Sequence, residues 1–394
     1  MNKLRISILT LGLAMGLTTF AQIESGFYRV KNKVTGRYLM AVDDKSTGVN
    51  TMAQTADVRA LISLRGFDKV VSDAASVVYI ENRGNNQYNL NGQGLDLYNG
   101  MATYVDIVPN GDAYQASGSR YGFTIYLCDY GNSGGAAQAY PVTNNQDTRD
   151  WYVYPVNQDA DKYFGLAPEI QLGDDDYFTT LYVSFPFTFA SSGMEAWKVI
   201  KVDNELNAVV YEKIEGVVPG KTPVIIRCSS AASANNKLSI EANSAPVLAD
   251  NNLKGVYFCF YRTAIANTHT NLTAYNPSTM RVLGKLSDGS IGFVKATTLP
   301  YPAYNNNRPS DDTNIYLPPN RAYLPVASNA GDEMKLMTKE EYEVLASIEE
   351  IGMDAIKSAP VYTLTGVKVR EKGESIENLP VGVYVTNGKK FVVK

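Results

Sequence analysis

The side chains able to carry chemistry are few, and their spacing removes most reaction classes. His269 is the single histidine, so any Ser-His-Asp or Cys-His relay has to pass through it. It lies in the polar run Ala266–Asn271, without an apolar wall to tune an imidazole, and reads as a surface-loop residue. One histidine and three scattered cysteines (Cys128, Cys228, Cys259) offer no paired spacing for zinc. Gly131-Asn132-Ser133-Gly134-Gly135 runs into an Ala-rich segment ending at Pro141, not into a helix N-terminus that would hold phosphate. No metal and no cofactor is expected.

Carboxylates and aromatics leave two openings. Asp43-Asp44, Asp174-Asp175-Asp176 and Asp311-Asp312 all sit at apparent turns, where Asp bonds its own backbone. Two of them at the right separation would make a glycosidase, and none has the spacing of a known calcium loop. The favoured binding candidate is Pro300–Pro309, in which prolines stiffen a loop carrying Tyr301, Tyr304, Asn305, Asn306, Asn307 and Arg308. Flat phenol rings beside amides and a guanidinium suit a sugar, which offers C–H faces to stack and hydroxyls to pair. Tyr98 and Trp151 are the fallback aromatic pair.

Both termini bear on where these residues work. Lys3 and Arg5 precede the apolar run Ile6–Leu17, and Thr19-Phe20-Ala21 leaves small residues for cleavage between Ala21 and Gln22. Residues 1–21 therefore read as a signal peptide, with no transmembrane segment left after its removal. Cleavage removes two basic residues and no acidic one, taking the net charge from −4 to −6. A mildly acidic chain has no electrostatic footprint for nucleic acid. Three cysteines allow at most one bridge; Cys228 and Cys259 would pair if adjacent, or else pack as two buried free thiols.

The length predicts two or three domains. Residues 22–158 carry short Gly- and Asn-broken strands in three units, starting near Tyr28, Tyr79 and Thr124. Arg59–Val71 has mixed periodicity and is left open between helix and strand. The opening GFYRVKN..TGRYL resembles ricin-type β-trefoil modules, many of which bind sugars. The Gln-x-Trp of those lectins is missing, and Asp150-Trp151-Tyr152 occupies only the last such place.

Residues 159–335 read as a β-sandwich of jelly-roll type. The longest β-rich run is Tyr177–Phe189, where Pro186 forces an edge or a bend. TTLYVSFPF, VPGKTPVII and LPPNRAYLPV resemble a module of secreted Bacteroidales proteins. Thr338 and Glu341 form a capping box that opens a helix over Tyr342–Glu350, within a linker at 336–354. Residues 355–394 read as a small β tail, with Asn387-Gly388 as a hairpin turn. This tail, with VYTLTGVKV, LPVGVY and NGKKFVVK, resembles the C-terminal sorting domain of the Bacteroidetes type IX secretion system. The resemblance implies contact with the secretion and sorting machinery.

The chain is thus expected to be mostly β and exported: a β-trefoil-like domain, a β-sandwich and a β tail. The expected role is a non-catalytic binding protein, secreted or on the outer cell surface, with a glycan as ligand. A glycosidase using turn aspartates and a structural or adhesive protein contacting other proteins are the alternatives.

Overall fold

The computed structural model describes residues 22–42, 60–66, 70–98, 104–120, 123–129, 138–140, 146–242, 246, 248–257, 273–296, 315–349, 359–375 and 378–393. The protein is mostly β in several sheets, with one α-helix among these residues. Among them no helix is long and apolar enough to cross a membrane.

The first strands are β1 (Gly26–Asn32), β2 (Tyr38–Val42), β3 (Ala60–Arg65), β4 (Val78–Asn82), β5 (Gln87–Gly92), β6 (Leu95–Tyr98), β7 (Val105–Asn110), β8 (Ala113–Arg120), β9 (Phe123–Cys128), β10 (Gln138–Tyr140) and β11 (Asp150–Pro155). Six of them close a circuit: β1 pairs β4, β4 pairs β5, β5 pairs β7, β7 pairs β8, β8 pairs β11, and β11 returns to β1. The circuit is a barrel, and β2, β3, β6, β9 and β10 pair outside it. Period-2 alternation fills its interior: Val30, Val78, Ile80, Tyr88, Leu90, Val105, Ile107 and Trp151 are all buried there.

Pairing relocates the repeat. Val78–Asn82 pairs back onto β1 and closes the first unit, and Phe123–Cys128 lies off the barrel. The units open instead on β1, β5 and β8, each with a Tyr two residues before an inward apolar side chain: Tyr28/Val30, Tyr88/Leu90 and Tyr114/Ala116. A long β2–β3 connection, from Val42 to Ala60, makes the first unit longer than the others. Within the open stretch Arg59–Val71, Ala60–Arg65 is a strand.

The second region has a ten-stranded and a three-stranded sheet that share one core. The apolar run at Tyr177–Phe189 does not stay in one sheet. Asp176–Leu181 belongs to the large sheet and Phe187–Phe189 to the small one, with Pro186 at the crossing. That core also takes in Phe27, Ala74 and Val77 from the barrel side. The helix, α1, spans Lys339–Glu349. Its capping box is formed, Glu341 N–H donating to Thr338 Oγ1 at 3.2 Å and Thr338 N–H to Glu341 Oε2 at 2.8 Å. A four-stranded sheet follows, closing on Asn387-Gly388 with φ of 50° and 76°, the left-handed pair a two-residue hairpin requires.

Arg29 ties barrel to second region. It is fully buried, and its guanidinium donates to Val70 O at 3.2 Å, Val71 O at 3.3 Å, Tyr163 O at 2.7 Å and the Ser76 hydroxyl. Burial pulls its pKa down to about 10, so it remains charged at neutral pH. Cys128 and Cys228 are buried free thiols, and Cys259 lies outside the described residues. Burial pushes Cys128 up to about 11 and Cys228 to about 12.

Arg29→Met should lower stability by about 2–4 kcal/mol in urea denaturation, because three buried or part-buried carbonyls and the Ser76 hydroxyl lose their donor together. A loss under about 1 kcal/mol would show that the clamp is dispensable. At pH 8 native protein should resist alkylation at Cys128 and Cys228, read by mass spectrometry, since only the thiolate reacts.

Candidate functional site

At one end of the barrel, between its second and third units, lies a cleft of about 340 Å³. Its floor is Tyr88 and Ile107, both buried, and Tyr114 forms a half-buried wall. Gln22, Asn85, Asn86 and Pro109 form an exposed rim. Strand register makes this arrangement: Pro109 stands opposite Tyr114 across β7 and β8, and Tyr88 opposite Val105 across β5 and β7. Among the described residues no lining side chain carries a charge at neutral pH. Burial raises the pKa of Tyr114 and of the neighbouring Tyr28, whose hydroxyl donates to Glu24 O at 2.8 Å.

The β4–β5 turn builds the rim. Gly84, Asn85 and Asn86 have φ of 83°, 53° and 61°, three left-handed residues in a row. Only glycine adopts that region freely, and Asn tolerates it better than most residues. Gln87 N–H donates to Gly84 O at 2.9 Å and Ile107 N–H to Asn86 O at 2.9 Å, which pins the turn to β7. Asn82 at the start of the turn is consumed by structure: its amide donates to Ile23 O at 2.8 Å, and its oxygen accepts from Gly84 N–H at 2.8 Å. The side chains of Asn85 and Asn86 make no such bond among the described residues. The turn thus holds two unengaged amides at the mouth of an aromatic-floored cleft.

The expected site residues fall elsewhere. Tyr301, Tyr304, Asn306 and Arg308 lie outside the described residues, as do His269, Ala21 and the pairs Asp43-Asp44 and Asp311-Asp312. Gln22, read as the residue after cleavage, is described and lies on the cleft rim. Tyr98 closes β6, its backbone in register with Leu61 of β3. Trp151 is a correction: it is 2% exposed inside the barrel, with its indole N–H on Leu127 O at 3.1 Å, so it packs the core and presents no face to a ligand. Asp176 is held by Arg227 at 2.6 Å, and the described residues contain no acidic or mixed metal-ligating cluster.

Alternation along Asp150–Pro155 turns Trp151 inward and Tyr152 and Tyr154 outward. Those two rings stack at 5.5 Å and 24°. Lys33 Nζ lies 5.9 Å from the Tyr152 centroid and Lys162 Nζ 5.1 Å from that of Tyr154, which covers the outer ring faces. Asp112 accepts from the Tyr152 hydroxyl at 3.2 Å and pairs with Lys33. This outer ladder is already satisfied, whereas the cleft is not.

No protein-family model matches the chain, and no characterised protein matches it in sequence. Among solved structures it is similar to a Polyporus squamosus lectin bound to a human-type influenza-binding epitope, at 11% identity over 34% of this chain and 51% of the lectin, TM-score 0.26. It is also similar to Cry35Ab1, at 14% identity over 46% of this chain and 49% of that one, TM-score 0.24. The chain spans about half the length of each. Likenesses at this level fix neither ligand nor site.

Replacing Asn85 and Asn86 by Gly should leave the melting temperature unchanged or slightly raised, because their φ values suit glycine. Asn86→Val should lower stability by about 1–2 kcal/mol. Equal melting of all three proteins would mean that the turn relaxes out of the left-handed region.

Proposed function

We propose that the chain is an exported, non-catalytic binding protein that holds a neutral sugar in the barrel-end cleft. One observation carries this reading: a buried aromatic and aliphatic floor beneath a rim of side-chain amides, with no charged side chain lining it among the described residues. A pyranose presents the complementary surface, an apolar C–H face toward rings and neutral hydroxyls toward amides. The basic-then-apolar leader at 1–21 and the sorting-type tail at 355–394 support export to the cell surface or beyond.

A protein-contacting role has its own support, in the tail. Leu364, Val367 and Val381 are 58%, 60% and 80% exposed, and Val369 and Val383 lie nearby in sequence and are also exposed. Apolar surface of that kind serves contact with another protein, the secretion machinery included.

A glycan array probed with the protein from Gln22 onward should give neutral-sugar hits. Tyr114→Ala should weaken them about two- to tenfold, the share expected of one aromatic wall. Tyr152→Ala, on the covered outer ladder, should leave them intact. An empty array, or loss through Tyr152 with Tyr114 silent, would sink the cleft as a sugar site. Salt should change affinity little, because no ion pair is expected in the contact.

A further inference from the structure

We propose that the cleft reads an acetamido group, so that its ligand is an N-acetylated sugar; this rests on the sugar-binding reading above and narrows it. The first ground is the kind of polar group on the rim. Gln22, Asn85 and Asn86 are all primary amides, and no carboxylate accompanies them among the described residues. A primary amide presents an N–H donor and a C=O acceptor side by side, which matches the C=O and N–H of an acetamido group. Isolated sugar hydroxyls are served as well by Asp or Ser, neither of which lines the cleft among the described residues.

The second ground is where those amides are rooted. Asn85 and Asn86 stand on left-handed backbone pinned by hydrogen bonds at Gly84 O and Asn86 O, both 2.9 Å long. Among the described residues their side chains spend no hydrogen bond, while Asn82 in the same turn spends both its amide groups on the protein. Holding the root of an unengaged polar group reduces the ordering that binding would require.

The third ground is apolar. Beside the rim, Pro109 stands opposite Tyr114, and the floor residue Ile107 donates its N–H to Asn86 O. An acetyl methyl placed near the Asn86 amide would meet Pro109 and Ile107 instead of water. A hexose hydroxyl at the same place would face that aliphatic surface unpaired. A site that matches donor, acceptor and methyl together discriminates against the analogue lacking them.

The test pairs N-acetylglucosamine with glucose and N-acetylgalactosamine with galactose, titrated into the protein from Gln22 onward and followed by NMR. In at least one pair the N-acetylated sugar should bind about tenfold tighter or more. The Asn85→Gly/Asn86→Gly variant, whose melting shows whether it is folded, should bring the pair within about twofold. Hexoses binding as tightly as their N-acetylated partners would overturn the acetamido reading, while array hits would leave sugar binding standing. A preference unchanged in the folded variant would also overturn it. So would N-acetyl-alanine methylamide binding as tightly as the sugars, which would make the ligand an amide without a pyranose. An empty glycan array would remove the sugar reading itself.

Discussion

A buried guanidinium spread across backbone carbonyls sets the frame of this protein. Arg29 sits on the strand that both opens and closes the barrel, and it reaches the carbonyls of Val70, Val71 and Tyr163. Burying a charge is expensive, and it persists only where charge-assisted hydrogen bonds meet its donors. A lysine has three donors at a point and could not span carbonyls from two separate segments; the planar fork can. Because β1 pairs both β4 and β11, anchoring it places the two ends of the circuit. The same device recurs in the second region, where buried Arg281 donates to Pro277 O at 2.7 Å, Gly331 O at 2.9 Å and Ala330 O at 3.0 Å. In the tail, buried Arg370 donates to Ala359 O at 2.8 Å and Glu374 O at 2.6 Å. In each case a guanidinium supplies donors to carbonyls of irregular connections.

Closure of the barrel turns a local alternation into a division of labour. Each strand gives one face to the interior and one to solvent, so neighbours in sequence meet different fates. Trp151 is core while Tyr152 and Tyr154 are surface, and the surface pair is used up on lysines and Asp112. The three Tyr that open the units gather at one end of the barrel: Tyr88 and Tyr114 are near enough to Tyr28 to help raise its pKa, and Tyr88 helps raise that of Tyr114. Threefold likeness stops there. Beside Tyr28 the N-terminal segment fills the space, with Ile23 buried and bound by Asn82, and only beside Tyr88 and Tyr114 does the cleft open.

The local features were legible in the sequence and the closure was not. The capping box at Thr338 and the Asn387-Gly388 hairpin each depend on a few adjacent residues, and both form. The mostly β character follows from composition and turn residues and is plain in the strand content. Unit boundaries were misread because their true marker, Tyr-x-apolar, is three residues long and recurs at unequal spacing. Pro186 was legible as a break, but its consequence, a switch of sheets, depends on partners far away at Val224–Cys228 and Lys237–Ile240. For the site, the sequence pointed to aromatic residues in a Pro-stiffened loop, which lies outside the described residues. Arg83–Gln87 was passed over because a Gly-Asn-Asn turn reads as punctuation, and only pairing with β7 shows what it faces.

That turn also shows why strain and site coincide. The tail hairpin solves a similar problem with two residues, Asn387 and Gly388, and puts glycine at one of its two left-handed positions. The β4–β5 turn uses four residues and keeps Asn at two of its three left-handed positions. Glycine at those places would hold the backbone with less strain, and shape alone does not call for an amide. What Asn adds is a short polar side chain whose direction is fixed by its root, and here that direction is the mouth of the cleft. A wall built this way needs firm support, and it has that support because Asn86 O is bonded to a strand of the closed barrel. The chain of dependence runs from a buried guanidinium to a fixed β1, from there to a closed circuit, and from the circuit to two amides held in place before any ligand arrives.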